Sequence, residues 1–143
     1  MRYYLNIGTN LGNRLENLHR AMAALSAGCG GCMASHIMQS EPWGFESQHQ
    51  FLNVGVAIDT AMAPHDVLDW LHHIERHLGS ASHRDENGHY IDRLVDIDIM
   101  AIDDEHGRPV NINTPTLQVP HPHLHDRPFF LTPYRQLRPQ HSI

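Results

Sequence analysis

The chain contains no lysine; all ten of its basic residues are arginine. That absence removes the lysine of a P-loop, the strand lysine of protein kinases and every Schiff-base mechanism. Any phosphate this protein handles falls to arginine, whose planar fork binds phosphate oxygens in pairs. Cysteine is nearly missing too. Cys29 and Cys32 form a lone Cys-Gly-Gly-Cys, without the second pair of a zinc ribbon. They follow a helical pattern, whereas a thioredoxin-type motif follows a strand. The pair is read as a glycine-rich turn with two incidental thiols. No apolar run reaches the ~18 residues of a membrane span, and Met1-Arg2-Tyr3-Tyr4 leads into a strand pattern, not a signal peptide. A net charge of -6 with neutral histidines offers no positive footprint for nucleic acid. The expectation is a cytoplasmic protein that works without membrane or nucleic acid, as a monomer.

What is present suits one globular domain over residues 1–143, with 41% hydrophobic and 18% charged residues. Fourteen histidines invite a metal reading. Most are scattered; only His72, His73 and His77 and the run His121, His123, His125 are grouped, and two loose groups do not define a zinc ligand set.

Tyr3 to Gly8 reads as a strand. Asn13 caps a helix with Glu16 three positions on, and Leu15, Leu18, Met22 and Leu25 supply its apolar stripe. Glycines 28, 30 and 31 stop it. Ala34 to Ser40 predicts a second strand and Phe51 to Thr60 a third, with the loop Glu41-Pro42-Trp43-Gly44 between them. Pro64 opens a second helix with Val67, Leu68, Leu71, Ile74 and Leu78 inward, closed by Gly79. Residues 80–92 read as a mobile loop, and Leu94 to Ile102 as a fourth strand. The order strand, helix, strand, strand, helix, strand predicts an α+β, ferredoxin-like split βαβ fold: an antiparallel sheet with helices on one face. The last forty residues hold prolines 109, 115, 120, 122, 128, 133 and 139. They predict an extended, turning, proline-rich C-terminal segment with a short helical turn near His123 to Arg127.

Asp96-Ile97-Asp98 is the strongest local signal. Residues i and i+2 of a strand share a face, so both carboxylates converge while Val95, Ile97 and Ile99 enter the core. Paired carboxylates suit Mg²⁺, although a solvated strand face reads the same way. Arg93 beside them and Arg84 on the preceding loop add clamps for anionic oxygens, the makings of a phosphoryl-transfer site. His121 and Arg127 are further phosphate donors, unless their proline-rich segment is only a wrapping. Trp43, Phe51 and Phe129 could line a slot for a flat ring, with Asn53 offering a donor and an acceptor, unless they are simply core.

Taken in order, these segments resemble the 6-hydroxymethyl-7,8-dihydropterin pyrophosphokinase family of the folate pathway over nearly the whole chain. The resemblance rests on Gly8-Thr9-Asn10-Leu11-Gly12-Asn13-Arg14, Ser40-Glu41-Pro42-Trp43-Gly44, Phe51-Leu52-Asn53 and Ile74-Glu75. It continues through Asp92-Arg93-Leu94-Val95-Asp96-Ile97-Asp98-Ile99, Val119-Pro120-His121-Pro122, Arg127 and Phe129. It implies a ferredoxin-like enzyme that moves pyrophosphate from ATP to the pterin hydroxymethyl group and releases AMP. By position it implies Asp96 and Asp98 as ligands of two Mg²⁺ ions and Arg93 on the phosphates. It implies Glu75, Ile99, Leu117, His121 and Arg127 around ATP. Asn53 is implied to recognise the pterin between Phe51 and Phe129, with Ser40, Pro42, Trp43 and Gly44 completing that pocket.

The sequence departs from the family pattern after Gly79, where many members carry arginine and this chain has Ser80-Ala81-Ser82. Arg84 is taken to replace that arginine as a catalytic lid residue, and Tyr90 to replace the family's loop tryptophan at the ATP. Pro122 stands where an aromatic is common. Two other readings remain: a non-catalytic pterin- or nucleotide-binding domain with a decayed loop, and a histidine-rich metal-binding protein.

Overall fold

The structure, a computed structural model, describes residues 1–40, 50–79 and 94–138. Strand β1 (Arg2–Thr9) is the centre of the main sheet, with β4 (Phe51–Asp59) on one side and β5 (Asp96–Asp103) on the other, both antiparallel. Two short strands, β2 (Gly31–Ala34) and β3 (Met38–Ser40), pair in succession along the far side of β4. A separate hairpin joins β6 (Ile112–Asn113) to β7 (Gln118–Val119).

The expected second strand, Ala34 to Ser40, is thus two. Ala34 pairs with Val56 and Met38 with Asn53, so this side carries one residue more than its partner, as in a bulge. Ser35 bridges the break. Its backbone N–H donates to the Gly55 carbonyl at 2.9 Å, and its hydroxyl accepts the Gly55 N–H at 2.8 Å.

Helices α1 (Arg14–Ala27) and α2 (Pro64–His77) cover one face of the sheet. Asn13 caps α1 as expected, its side chain accepting the Glu16 N–H at 3.1 Å. The buried stripe of α1 is Leu18, Ala21 and Leu25, while Leu15 lies outside it at 47% exposure. These side chains meet Tyr3, Leu5 and Ile7 of β1 and Val67, Leu71 and Ile74 of α2 in the larger core.

The opposite face is where expectation and structure part. Residues 128–137 do not run extended; Pro128–Leu137 is a third helix, α3. Phe130, Leu137 and the preceding Leu124 pack on Tyr4, Ala57, Met100 and Ala101, forming a second core on the side away from α1 and α2. The proline-rich composition misleads because the prolines fall where a helix tolerates them. Pro128 opens the helix, where its missing N–H is not needed. Pro133, inside it, removes one intrahelical bond, which the sheet replaces as shown below. The far end of α3 is held by Asp103, which accepts from the Tyr4 hydroxyl at 2.8 Å and from Arg138 Nε at 2.9 Å.

Candidate active site

The antiparallel register sets the site. Gly8 of β1 faces Asn53 on β4 and Asp96 on β5; two residues along, Asn6 faces Gly55 and Asp98. Two rows, Asn53–Gly8–Asp96 and Gly55–Asn6–Asp98, therefore cross the three strands on the face that carries α3. Strand spacing puts the Asn53 and Asp96 backbones about 10 Å apart. Gly8 keeps the gap between them open: a Cβ there would come within 3.1 Å of Asn53 Oδ1 and 3.4 Å of the Phe51 ring.

On the β5 side, Asp96 and Asp98 are half-buried while Val95, Ile97 and Ile99 are buried, the alternation expected from sequence. β5 is an edge strand of the sheet, so half of its backbone donors need partners elsewhere. Glu75 of α2, 3% exposed, meets one of them: its Oε2 accepts the Ile97 N–H at 2.8 Å, between the two aspartates. One oxygen of this residue, assigned by sequence to ATP, is thus committed to holding β5. A recess of about 360 Å³ opens along this edge, lined by Glu75, Asp96, Asp98, Ile99, Leu117 and His121. The recess thus brings together six of the residues assigned from sequence. His72, Thr116 and Gln118 also line the recess; the sequence noted His72 only within a loose histidine group, and proximity to Leu117 was the available signal for Thr116 and Gln118.

His121 is placed by a fault in β5. The pairing with β1 slips between Tyr4 and Leu5, leaving Met100 as an extra residue. The Met100 carbonyl accepts the His121 N–H at 2.9 Å. The ring lies edge-on to Phe130, centroids 5.0 Å apart. Its Nδ1 accepts the His123 backbone N–H at 3.0 Å, so a proton on the neutral ring sits on Nε2. Burial first, then the charges of Arg127 and His123, pushes its pKa down to about 4. His121 is a neutral hydrogen-bond donor near pH 7. Arg127, whose guanidinium lies 4.9 Å from the Phe130 ring centre, is the cation of the group. Burial lowers its pKa while the Asp98 and Asp96 carboxylates raise it, and an arginine in that balance remains charged.

On the β4 side, Asn53 is 2% exposed and its Nδ2 donates to Ser40 Oγ at 2.7 Å. Phe51 stands beside Gly8, and Phe129 lies in the first turn of α3, where its carbonyl accepts from Asn6 Nδ2 at 2.7 Å. Asn6, 1% exposed, was not singled out by sequence; its even-numbered parity with Gly8 was the available signal. Pro42, Trp43, Gly44, Arg84, Tyr90 and Arg93 lie outside the described residues.

Among the described residues, no three His, Cys, Asp or Glu side chains converge on one point. A pair of carboxylates on one strand face is too small a set for a structural zinc site. It fits Mg²⁺, which is held by one or two carboxylates and takes its remaining oxygens from water and substrate phosphates. The two thiols are free; Cys29 precedes β2 and Cys32 lies within it. Among the described residues no helix is long and apolar enough to cross a membrane.

The 7,8-dihydro-6-hydroxymethylpterin-pyrophosphokinase (HPPK) family model matches residues 4–139. A protein of Porphyromonas gingivalis named 2-amino-4-hydroxy-6-hydroxymethyldihydropteridine pyrophosphokinase is 37% identical over 137 residues, covering 95% of this chain and 90% of that one. Proteins of the same name from Bacillus subtilis and Aquifex aeolicus are 35% and 33% identical, covering 94% and 95% of this chain and 76% and 79% of theirs. The match runs from the central strand to the end of α3, across every element that builds the two rows, and the chain belongs to the HPPK family.

Proposed function

We propose that the two rows of β1, β4 and β5 hold the two substrates of one transfer reaction, the pterin on the β4 side and ATP on the β5 side. The protein is an ATP-dependent pyrophosphokinase of folate biosynthesis. It moves the pyrophosphoryl group of ATP to the hydroxymethyl group of 6-hydroxymethyl-7,8-dihydropterin and leaves AMP. The observation that supports the residue assignment is the register Asn53–Gly8–Asp96: an amide suited to a ring edge and a carboxylate suited to a metal lie on either side of a glycine gap.

In this reading Asn53 presents its carboxamide to the polar edge of the pterin, with Ser40 fixing its orientation. Phe51 and Phe129 bracket the ring, and Pro42, Trp43 and Gly44 complete the pocket. Ile99 and Leu117 wall the nucleotide recess, which Glu75 and His121 also line. Tyr90 joins the nucleotide side from the loop. Asp96 and Asp98 would hold Mg²⁺, which when bound supplies charge neutralisation on the phosphate oxygens. Arg127 and Arg93 meet the negative charge that spreads over those oxygens as the hydroxyl attacks the β-phosphorus in line. His121 donates from Nε2 without adding a positive charge. Arg84 acts from the loop after Gly79. No strong general base is needed, because positioning and electrostatics carry most of the barrier reduction in phosphoryl transfer. The protein works as a monomeric single domain in the cytoplasm.

The test is AMP formation on mixing the protein with ATP, Mg²⁺ and the pterin alcohol. AMP should appear in step with the pterin diphosphate and only when all three are present. AMP without the pterin alcohol, or none with it, refutes the reading.

A further inference from the structure

We infer that Asn6 is a positioning residue for the substrate pocket, acting on Phe129 through a backbone carbonyl that Pro133 leaves without its helical donor. The inference rests on the reading that Phe129 brackets the pterin. In an α-helix the carbonyl of residue i accepts the N–H of residue i+4. For Phe129 that residue is Pro133, which lies inside α3. Proline has no N–H, and its ring crowds the carbonyl one turn back. The Phe129 carbonyl is instead met by Asn6 Nδ2 at 2.7 Å. Asn6 is 1% exposed and sits on the central strand, facing Gly55 and Asp98 in the register.

The same proline sets the approach of the helix. A Cβ on Gly55 would lie 2.7 Å from Pro133 Cβ, so α3 is seated closely on β4 there. Proline, glycine and asparagine thus form one device: Pro133 releases a carbonyl, Gly55 admits the proline, and Asn6 catches the carbonyl. The bond fixes the first turn of α3, which carries Phe129 and follows directly on Arg127. It also ties α3 to the row that holds Asp98, since Asn6 faces Asp98 in the register. The carbonyl is part-buried, and a carbonyl shielded from water needs a partner, so losing Asn6 frees the turn to shift toward another donor.

The test is a double-mutant cycle read in steady-state kinetics. Asn6→Leu, similar in size but without a donor, should raise the KM for the pterin alcohol about tenfold, the usual consequence of leaving a buried acceptor unpaired. The KM for ATP should stay within about twofold. Pro133→Ala restores an N–H that can bond the Phe129 carbonyl, so in that background Asn6→Leu should change the pterin KM by about twofold or less. A merely structural asparagine would give equal effects in both backgrounds, and that outcome overturns the inference. So does a parallel rise in both KM values. Should Asn6→Leu not fold, Asn6→Ala read in both backgrounds makes the same comparison. Phe129→Ala separates the two levels: pterin affinity lost there but kept in Asn6→Leu overturns the role of Asn6 alone. Pterin affinity kept in Phe129→Ala overturns the bracketing itself, and the role of Asn6 with it.

Discussion

Replacing Gly55 with alanine tests how closely α3 sets the pocket. The new methyl would lie 2.7 Å from Pro133 Cβ, 2.9 Å from Leu137 Cδ1 and 3.3 Å from Ser35 Oγ. Carbon pairs rest at about 3.5–4.0 Å, so the helix must retreat by roughly 1 Å or tilt. It cannot do so freely. Its first turn is tied to Asn6 and its end to Asp103 through Arg138, while Phe130 and Leu137 are 2% and 5% exposed in the second core. Overpacking of this kind costs about 1–3 kcal/mol. At about 3–4 °C per kcal/mol for a chain of this size, Tm should fall by roughly 3–12 °C. The retreat also moves Phe129 away from Phe51, so the KM for the pterin alcohol should rise more than that for ATP. Differential scanning calorimetry and initial-rate kinetics on the same preparation read both. A Tm within 1 °C of the parent together with unchanged pterin KM would refute the reasoning, since it would mean α3 is loosely seated.

Asp96→Asn and Asp98→Asn should each lower kcat by at least about 10²-fold, and chelation should abolish turnover of the parent; near-normal rates at saturating Mg²⁺ would overturn the metal assignment. Asn53→Ala removes a group that is 2% exposed and held by Ser40, and should weaken pterin binding by about 1–3 kcal/mol while sparing ATP. Equal losses for both ligands in calorimetric titration would count against the pocket. His121, with its pKa pushed down to about 4 from 6.5 chiefly by burial, binds fewer protons folded than unfolded between those values. Its contribution to stability is therefore full above about pH 6.5 and is lost as pH falls toward 4. NMR titration of its ring in the metal-free protein should give a midpoint far below 6.5, and a midpoint at or above 6.5 would show the ring is not desolvated.

Local pattern was enough to read the cap at Asn13, the inward faces of α2, and the alternation of Asp96 and Asp98 with Ile97 and Ile99. Strand and helix periods are properties of neighbouring residues, and they survive folding unchanged. The sequence also offered candidates for the site, because ordered motifs along the chain carry the family resemblance whatever their distance in space. That Asn53 and Asp96 flank Gly8 came from the fold and nothing less, for a register is a relation between strands far apart in sequence. Only the fold turned the proline-rich tail into α3, because the bond that Pro133 gives up is supplied by Asn6, some 120 residues earlier. A helix with an internal proline looks broken locally; it stands here because a side chain from the central strand donates where the helix cannot.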